Sequence, residues 1–370
     1  MLTLSRRVGD RFDWPLFLAV VAIGVLGVIN LYSATSVYVD AGRRAGLADV
    51  YVSQIYWLVL GVMFAIPAAV VDYRHLQSGA YLLYGAGILS LAAVFVFGAD
   101  IRGSSRWIQF GSFTFQPSEF MKILLIIVLA KWLHDDSRSE PRTLRQFAKP
   151  IALVALPIAL VMAQPDLGTS MIYLLTALTM LSLVKVRWQS LATAGIMGAV
   201  AIPLAWFYVL QGYQKARVSS FLNPEADASG SGWHALQART AIGNGGFTGE
   251  GYMQGAQNQF GFLPDQYSDF PFAVFAEDWG LGGGTFLLVL YAFVCLWSVR
   301  IAAQARDRFG AALAVGVGAM FLWHTLFNLG MCLGLFPVVG ITLPLFSYGG
   351  SSMVTMLMGL GLLMNVSVRR

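Results

Sequence analysis

The chain reads as a succession of apolar runs broken by polar loops. Ten runs are long enough to cross or nearly cross a bilayer, at about 14–36, 52–71, 80–98, 117–133, 148–163, 169–184, 189–210, 270–299, 311–335 and 351–368, because a spanning helix needs roughly twenty residues. Between the seventh and eighth runs the pattern lapses. Residues 211–268 form a Gly-, Gln- and Asn-rich stretch without a membrane-length run. The pattern predicts an all-α polytopic membrane protein: a single multi-pass domain over 1–370, about ten transmembrane helices, and a large extracytoplasmic loop between spans 7 and 8. No early segment combines a basic head, a short apolar core and a small-residue cleavage site, so the first run reads as a retained helix.

Several breaks in the pattern carry chemistry. The runs flanking Gln164-Pro165-Asp166-Leu167-Gly168-Thr169-Ser170 are short for a span, which recesses the turn below the membrane surface. A carboxylate there needs protein or water around it, so Asp166 points into a cavity. The fourth run opens on Gln116-Pro117-Ser118-Glu119. Proline suits a first helical turn, and Glu119 complements the helix dipole. Glu119 and Lys122 share a face three residues apart. They read either as a helix-start ion pair or as part of a site, since Lys122 lies a turn inside apolar sequence. Upstream, Arg102 and Arg106 precede an interfacial Trp107; they are snorkelling anchors or anion ligands. The apolar 336–352 segment holds two prolines and three glycines, which predicts a re-entrant loop with Ser347, Tyr348, Ser351 and Ser352 facing a cavity. Gly280 and Gly282–Gly284 read as close helix packing. Asp269, Glu277 and Asp278 are acids at the start of the eighth span, a costly placement that points to function. The glycine-rich insert before Asp269 leaves its backbone adjustable on one side and anchored on the other.

Composition agrees with the membrane reading. The chain is 57% hydrophobic and 12% charged, against roughly 25% charged in soluble domains. Alternating the ten spans sorts the basic loop residues 16 against 7. The richer side holds both termini, which places them in the cytoplasm. The insert and the loops at 99–116, 164–168 and 336–350 then face outward. The net charge of +5 is scattered among loop ends rather than gathered into a nucleic-acid patch, so no nucleic acid is expected. Cys295 and Cys332 sit in apolar runs as packing residues, and no Cys/His spacing suits a metal. The insert's glycines lack a strand–GxGxxG–helix context. His234 reads as an interfacial side chain.

From the residues alone, the outward side collects Arg106, Glu119, Lys122, Asp166, Arg217 and Asp269 around a recessed pocket suited to an anionic, lipid-borne substrate. That chemistry leaves open whether the substrate is moved or reacted.

The motifs narrow it. Gln116-Pro117-Ser118-Glu119, the Gln164–Ser170 turn, Phe262-Leu263-Pro264 with Ser268-Asp269-Phe270, Ala276-Glu277 and Ser347-Tyr348-Gly349-Gly350-Ser351, with Asn328, Gly334, Pro337 and Gly340 behind them, resemble the SEDS proteins of bacterial shape, elongation, division and sporulation. The resemblance covers nearly the whole chain. Pro337-Val338-Val339-Gly340 and Leu343-Pro344-Leu345 look more like the RodA elongation branch than the FtsW division branch. Ser268 stands where a threonine is common, and Pro271 and Asp278 are less usual neighbours. The resemblance implies a peptidoglycan glycosyltransferase of the bacterial inner membrane, working outward on lipid II beside a class B penicillin-binding protein. It implies Asp269 as base or acceptor-orienting group, with Arg106, Lys122 and Arg217 on the leaving pyrophosphate. Glu119 would hold a cation, Asp166 would shape the floor, and Ser347 and Ser351 would face the substrate. A divalent cation, Mg or Mn, could share the charge, although no protein cage is visible. A division-type polymerase and a lipid II flippase are the competing readings.

Overall fold

The computed structural model describes residues 12–370 except 41–48, 102–103, 112, 137, 139, 228–229 and 264. Of the residues named above, Arg102 and Pro264 lie outside the described residues, as do Arg6, Arg7, Arg11, Arg43 and Arg44 among the basic residues counted for topology. Helices occupy all ten predicted runs: α1 (Trp14–Asp40), α2 (Val50–Val70), α3 (Tyr73–Phe97), α4 (Pro117–Asp135), α5 (Ala148–Ala163), α6 (Leu167–Leu181) and α7 (Trp188–Leu204), then α10 (Pro271–Ala303), α11 (Arg308–Leu333) and α12 (Gly350–Val368). The insert adds α8 (Gly212–Leu222) and α9 (Ser231–Asn244). Eight of the ten are long and apolar enough, by length and composition, to cross a membrane. The other two are α4, with Glu119 and Lys122 in its buried start, and α6, only 15 residues long.

Local chemistry sets several boundaries. Pro117 opens α4, where its missing N–H costs nothing. Asp166 and Asp307 cap α6 and α11, accepting from Thr169 N (3.1 Å) and Gly310 N (2.7 Å), which satisfies donors no helix can pair internally. Gly334, left-handed at φ 68°, ends α11. α4, α11 and α12 form the buried centre of the bundle, while α2, α3, α5 and α7 turn large apolar side chains such as Val59, Leu82, Ile151 and Ile196 outward. Outward apolar faces of this extent suit lipid contact. Close packing of α2 on α12 relies on small residues: a Cβ on Gly61 would strike Leu357, and one on Gly361 would strike Ala65.

The bundle has two distinct ends. Asp13 accepts from Trp297 Nε1 (2.8 Å) and Ser367 Oγ (2.7 Å), with Arg370 at 3.5 Å. The start of α1 and the close of α12 therefore meet at one end of the bundle, together with the close of α10. The opposite end carries the 164–166 turn, the insert and the 336–350 segment. There the all-α expectation needs an addition, because residues 98–115 form a small antiparallel sheet of β1 (Gly98–Ile101), β2 (Ser104–Phe110) and β3 (Phe113–Phe115). Trp107-Ile108-Gln109 is too short a β-prone run to stand out against the apolar helices around it.

The 336–350 segment enters the bundle as expected. Val339, Ile341, Leu343 and Phe346 are buried, and Tyr291, well along α10, donates its hydroxyl to Pro344 O at 2.7 Å. The glycines of α10 act differently from the expectation. Gly280 is non-helical (φ 62°, ψ −163°) and meets the insert backbone at Phe247 and Gly249, while Gly283 and Gly284 face Trp279 and Phe272 of their own helix. Gly280 lets the insert dock, not another helix. α9 likewise packs on α10, and its Ala235, Ala238 and Ala241 are buried.

Candidate active site

Two polar clusters meet in a cleft of about 400 Å³ at the end away from the termini, lined by β2, the start of α4, the 164–166 turn and residues 340–352. The first is built on Arg106. Ala99 pairs with Trp107 and Asp100 with Ser105, which leaves Arg106 as the extra residue of a bulge. Bulges re-aim side chains. Arg106 donates from Nε to Gln164 O (3.1 Å) and from Nη2 to Pro165 O, while Nη1 lies 3.8 Å from Asp166 Oδ1. Gln164 Nε2 in turn donates to Leu91 O (2.9 Å), fixing the turn to α3. Asp166 also takes the Thr169 hydroxyl at 2.9 Å. From the insert, the Tyr213 hydroxyl donates to Pro165 O (2.9 Å). Burial pushes the Tyr213 pKa up, so it stays a neutral donor.

The second cluster is drier. Lys122 Nζ lies 2.8 Å from both carboxylate oxygens of Glu119 and 2.9 Å from His324 Nε2. All three residues are less than a tenth exposed. His324 Nδ1 is 3.1 Å from Thr342 O. A carbonyl oxygen only accepts, so Nδ1 carries the proton. An ammonium only donates, so Nε2 receives it. The imidazole is therefore neutral, and all three ammonium hydrogens of Lys122 are engaged.

This separates the two cations that sequence treated alike. Arg106 has five N–H donors, of which two go to carbonyl oxygens, and its contact with Asp166 is too long for a hydrogen bond. Arg106 can still receive an anion without losing a partner; Lys122 cannot. Two cations and two carboxylates balance within the cleft; an entering phosphate can use the uncommitted donors of Arg106, whereas at Lys122 it must draw a donor from an existing partner.

The structure brings together Arg106, Glu119, Lys122, Asp166 and Ser351. Ser351 Oγ accepts from Gln116 N (3.2 Å), joining α12 to the start of α4. Glu119 holds Lys122 and not Arg106. Ser347 is a correction: its Oγ accepts from Leu343 N (2.8 Å), which stabilises the re-entrant turn, and it does not line the cleft. Arg217 is another. It lies over the Tyr213 ring at 6.0 Å and lines a separate small groove with Arg239 and Phe336. Asp269 sits half-buried at the cleft margin, where Ser268 lines the cavity. Gly340 (φ 73°) needs glycine for its left-handed backbone and lies against the carboxylate: a Cβ built there would be in ordinary contact with Asp269 Oδ2 at 3.7 Å. The Asp269 backbone is clamped on both sides: Asp269 N donates to Asp265 O (3.0 Å), and Asn328 Nδ2 donates to Asp269 O (2.9 Å) and Ile341 O (2.8 Å).

Glu277, buried deeper in α10, accepts from Gln257 N (2.9 Å), Asn258 N (3.2 Å) and Asn244 Nδ2 (3.5 Å). It anchors the insert. Asp278 accepts from Ser33 Oγ at 2.5 Å. His324 escaped the sequence reading, although a histidine inside an apolar run was the available signal. Among the described residues no group of three or more His, Cys, Asp or Glu side chains could hold a metal ion. The residues do not fit a protein-built cage for the expected divalent cation.

The chain matches the family model for cell cycle proteins named after FtsW, RodA and SpoVE over residues 13–370. It is 36% identical over 346 residues to the peptidoglycan glycosyltransferase MrdB of Escherichia coli (strain K12), covering 94% of this chain and 92% of that protein. It is 33% identical over 436 residues to the peptidoglycan glycosyltransferase RodA of Treponema pallidum (strain Nichols), covering 99% of both. Among solved structures, a chain from a peptidoglycan synthase complex described as coordinating polymerization and crosslinking superimposes with a TM-score of 0.82 at 32% identity, covering 96% of this chain and 97% of that one.

Proposed function

The chain belongs to the FtsW/RodA/SpoVE family of cell cycle proteins, and from that premise we propose that it is a peptidoglycan glycosyltransferase that polymerises lipid II during cell elongation and shape maintenance. The observation that carries this reading is the convergence of the bulged Arg106 with Asp166, and of Lys122 with Glu119 and His324, on one cleft beside Asp269. It works as a multi-pass protein of the bacterial inner membrane, with both termini cytoplasmic and the cleft outward. A class B penicillin-binding protein cross-links its product.

The reaction asks for three things. A sugar hydroxyl of one lipid II attacks the anomeric carbon of another, forming a C–O bond as the bond to undecaprenyl pyrophosphate breaks. The hydroxyl proton needs a base, and the single displacement inverts the centre. Asp269 is that base: its clamped backbone holds the carboxylate still, and positioned proton transfer contributes roughly 10²–10⁴ in rate. The departing pyrophosphate gathers negative charge, which Arg106 meets with donors not committed to carboxylate. Lys122 lies behind it, already charged and oriented. No step here runs through a metal ion.

Purified protein with lipid II, with and without the cognate penicillin-binding protein, tests the reading by glycan-polymer yield. Polymer forms from the wild type, and Asp269→Asn removes it while partner binding persists, because an amide keeps the shape and loses the proton-accepting charge. An Asp269→Asn protein that polymerises within about tenfold of wild type, against that 10²–10⁴ range, removes Asp269 from the chemistry.

A further inference from the structure

Lys122 reaches the cleft with every ammonium hydrogen already taken, two by the Glu119 carboxylate and one by His324. To touch phosphate it must exchange one partner. The carboxylate acceptors carry full charge and hold it more strongly than a neutral ring nitrogen does. The bond to His324 is the replaceable one. We propose that His324 is a positioning residue whose neutral Nε2 keeps the third Lys122 hydrogen directed at the cleft and yields it to the substrate's phosphate. The proposal rests on the glycosyltransferase reading above.

Geometry fixes His324 for this task. It lines the cleft, is 2% exposed, and stands on the buried helix α11. Its other nitrogen donates to Thr342 O (3.1 Å), and Thr342 Oγ1 is 2.9 Å from Ser352 Oγ at the start of α12. The same ring therefore ties the re-entrant segment to the ion pair, and its orientation cannot drift without breaking that tether. An apolar residue at this place would leave a buried ammonium hydrogen unpaired, and the lysine would turn away to satisfy it. An ordinary packing histidine would donate from Nε2 instead, because that tautomer is free to form wherever no carbonyl claims Nδ1.

Three substitutions separate the two bonds. Glutamine places an amide oxygen near the Nε2 position and can accept from Lys122. Asparagine places its amide near Nδ1 and can keep only the tether to Thr342. Leucine keeps neither. The expected order in lipid II polymerisation is His324→Gln recovering most of the activity, with His324→Asn and His324→Leu down by about tenfold to 10²-fold, the loss that follows misplacement of a positioned group. Partner binding and thermal unfolding are followed alongside, and if His324→Leu misfolds, the comparison of the two amides decides. His324→Asn as active as His324→Gln would overturn the proposal, since the tether alone would then suffice. Glutamine as damaging as leucine in a folded protein would overturn it too. A second arm needs no turnover: ¹⁵N NMR of histidine-labelled protein, with the His324 signals assigned by their loss in His324→Gln, should show Nδ1 protonated and Nε2 bare. An Nε2–H tautomer or an imidazolium would sink the proposal even if the enzyme is active. A wild type with the expected tautomer but no polymer would instead sink the functional reading.

Discussion

Replacing Glu277 with glutamine tests what holds the insert to the bundle. Its side chain is fully buried, with Oε1 accepting from Gln257 N (2.9 Å) and Asn244 Nδ2 (3.5 Å) and Oε2 from Asn258 N (3.2 Å). An amide has one acceptor oxygen in place of two, so Gln257 or Asn258 must face an NH₂ group. A buried N–H left without its acceptor costs about 1–3 kcal/mol, and the surviving bond weakens when the acceptor loses its charge. Relief of carboxylate desolvation offsets part of this. A net loss of about 1–3 kcal/mol corresponds to roughly 5- to 150-fold more frequent local opening. Hydrogen exchange reads that directly. The reporters are the amides of Gln257 and Asn258, together with Glu250 and Gly251, which donate to Glu277 O and Asp278 O. They should exchange faster by that factor, while amides of α11 and α12 stay unchanged. Polymerisation should fall only in part, because the lesion loosens the insert and leaves the cleft's charges in place. Unchanged exchange at Gln257 and Asn258 would refute the anchoring argument. So would complete loss of polymer with protection intact, which would move Glu277 into the chemistry.

Lys122→Ala should abolish polymerisation and also destabilise the fold by about 3–5 kcal/mol, because it strands a buried carboxylate; polymer near the wild-type yield would remove Lys122 from the site. The double variant Glu119→Gln with Lys122→Met should recover much of the thermal stability and none of the activity. At the other end of the molecule, Arg142 Nε donates to Asp136 at 2.8 Å and holds its carboxyl below the ordinary range. A depressed carboxylate adds stability above its unfolded pKa of about 4 and loses it as pH falls through the folded value. Unfolding temperature should therefore drop more between about pH 5 and 3 in the wild type than in Asp136→Asn. For topology, a reporter active only in the cytoplasm should work after Arg370 and fail when inserted near Ala226.

The ten helices were legible because membrane length and composition leave few alternatives to a run of apolar residues. The buried Asp166 turn and the re-entrant 336–350 segment were legible for a related reason: short runs and segments broken by proline and glycine cannot be placed in lipid. Arg106 was visible as a residue, but its role depends on a bulge, and a one-residue slip in a short β-hairpin leaves little mark on the sequence. Arg217 misled because charge and loop membership say nothing about direction; in the structure it turns onto Tyr213. Ser347 misled for a different reason, since a hydroxyl in a polar motif can serve its own turn as readily as a ligand. His324 was missed because its partners are 202 and 18 residues away.

Asp269 sits at the cleft margin, but its backbone is held rather than adjustable. A glycine-rich insert suggested a carboxylate free to move toward its acceptor. Instead Asn328 binds Asp269 O and Ile341 O at once, and Tyr348 N donates to Tyr267 O at 2.9 Å. These bonds join the start of α10 to the re-entrant segment, the same segment that His324 ties to Lys122 through Thr342. Asp269, the proposed base, and the buried Lys122 therefore share one frame across α10, α11 and the 340–352 segment. Arg106 stands on a different support, the sheet and the 164–166 turn. A frame with one rigid side and one hung on a small bulged sheet suits a polymerase. In the proposed reaction the chemistry must stay fixed from one addition to the next, while the side assigned to the pyrophosphate has to accept a new lipid and release the spent one each cycle.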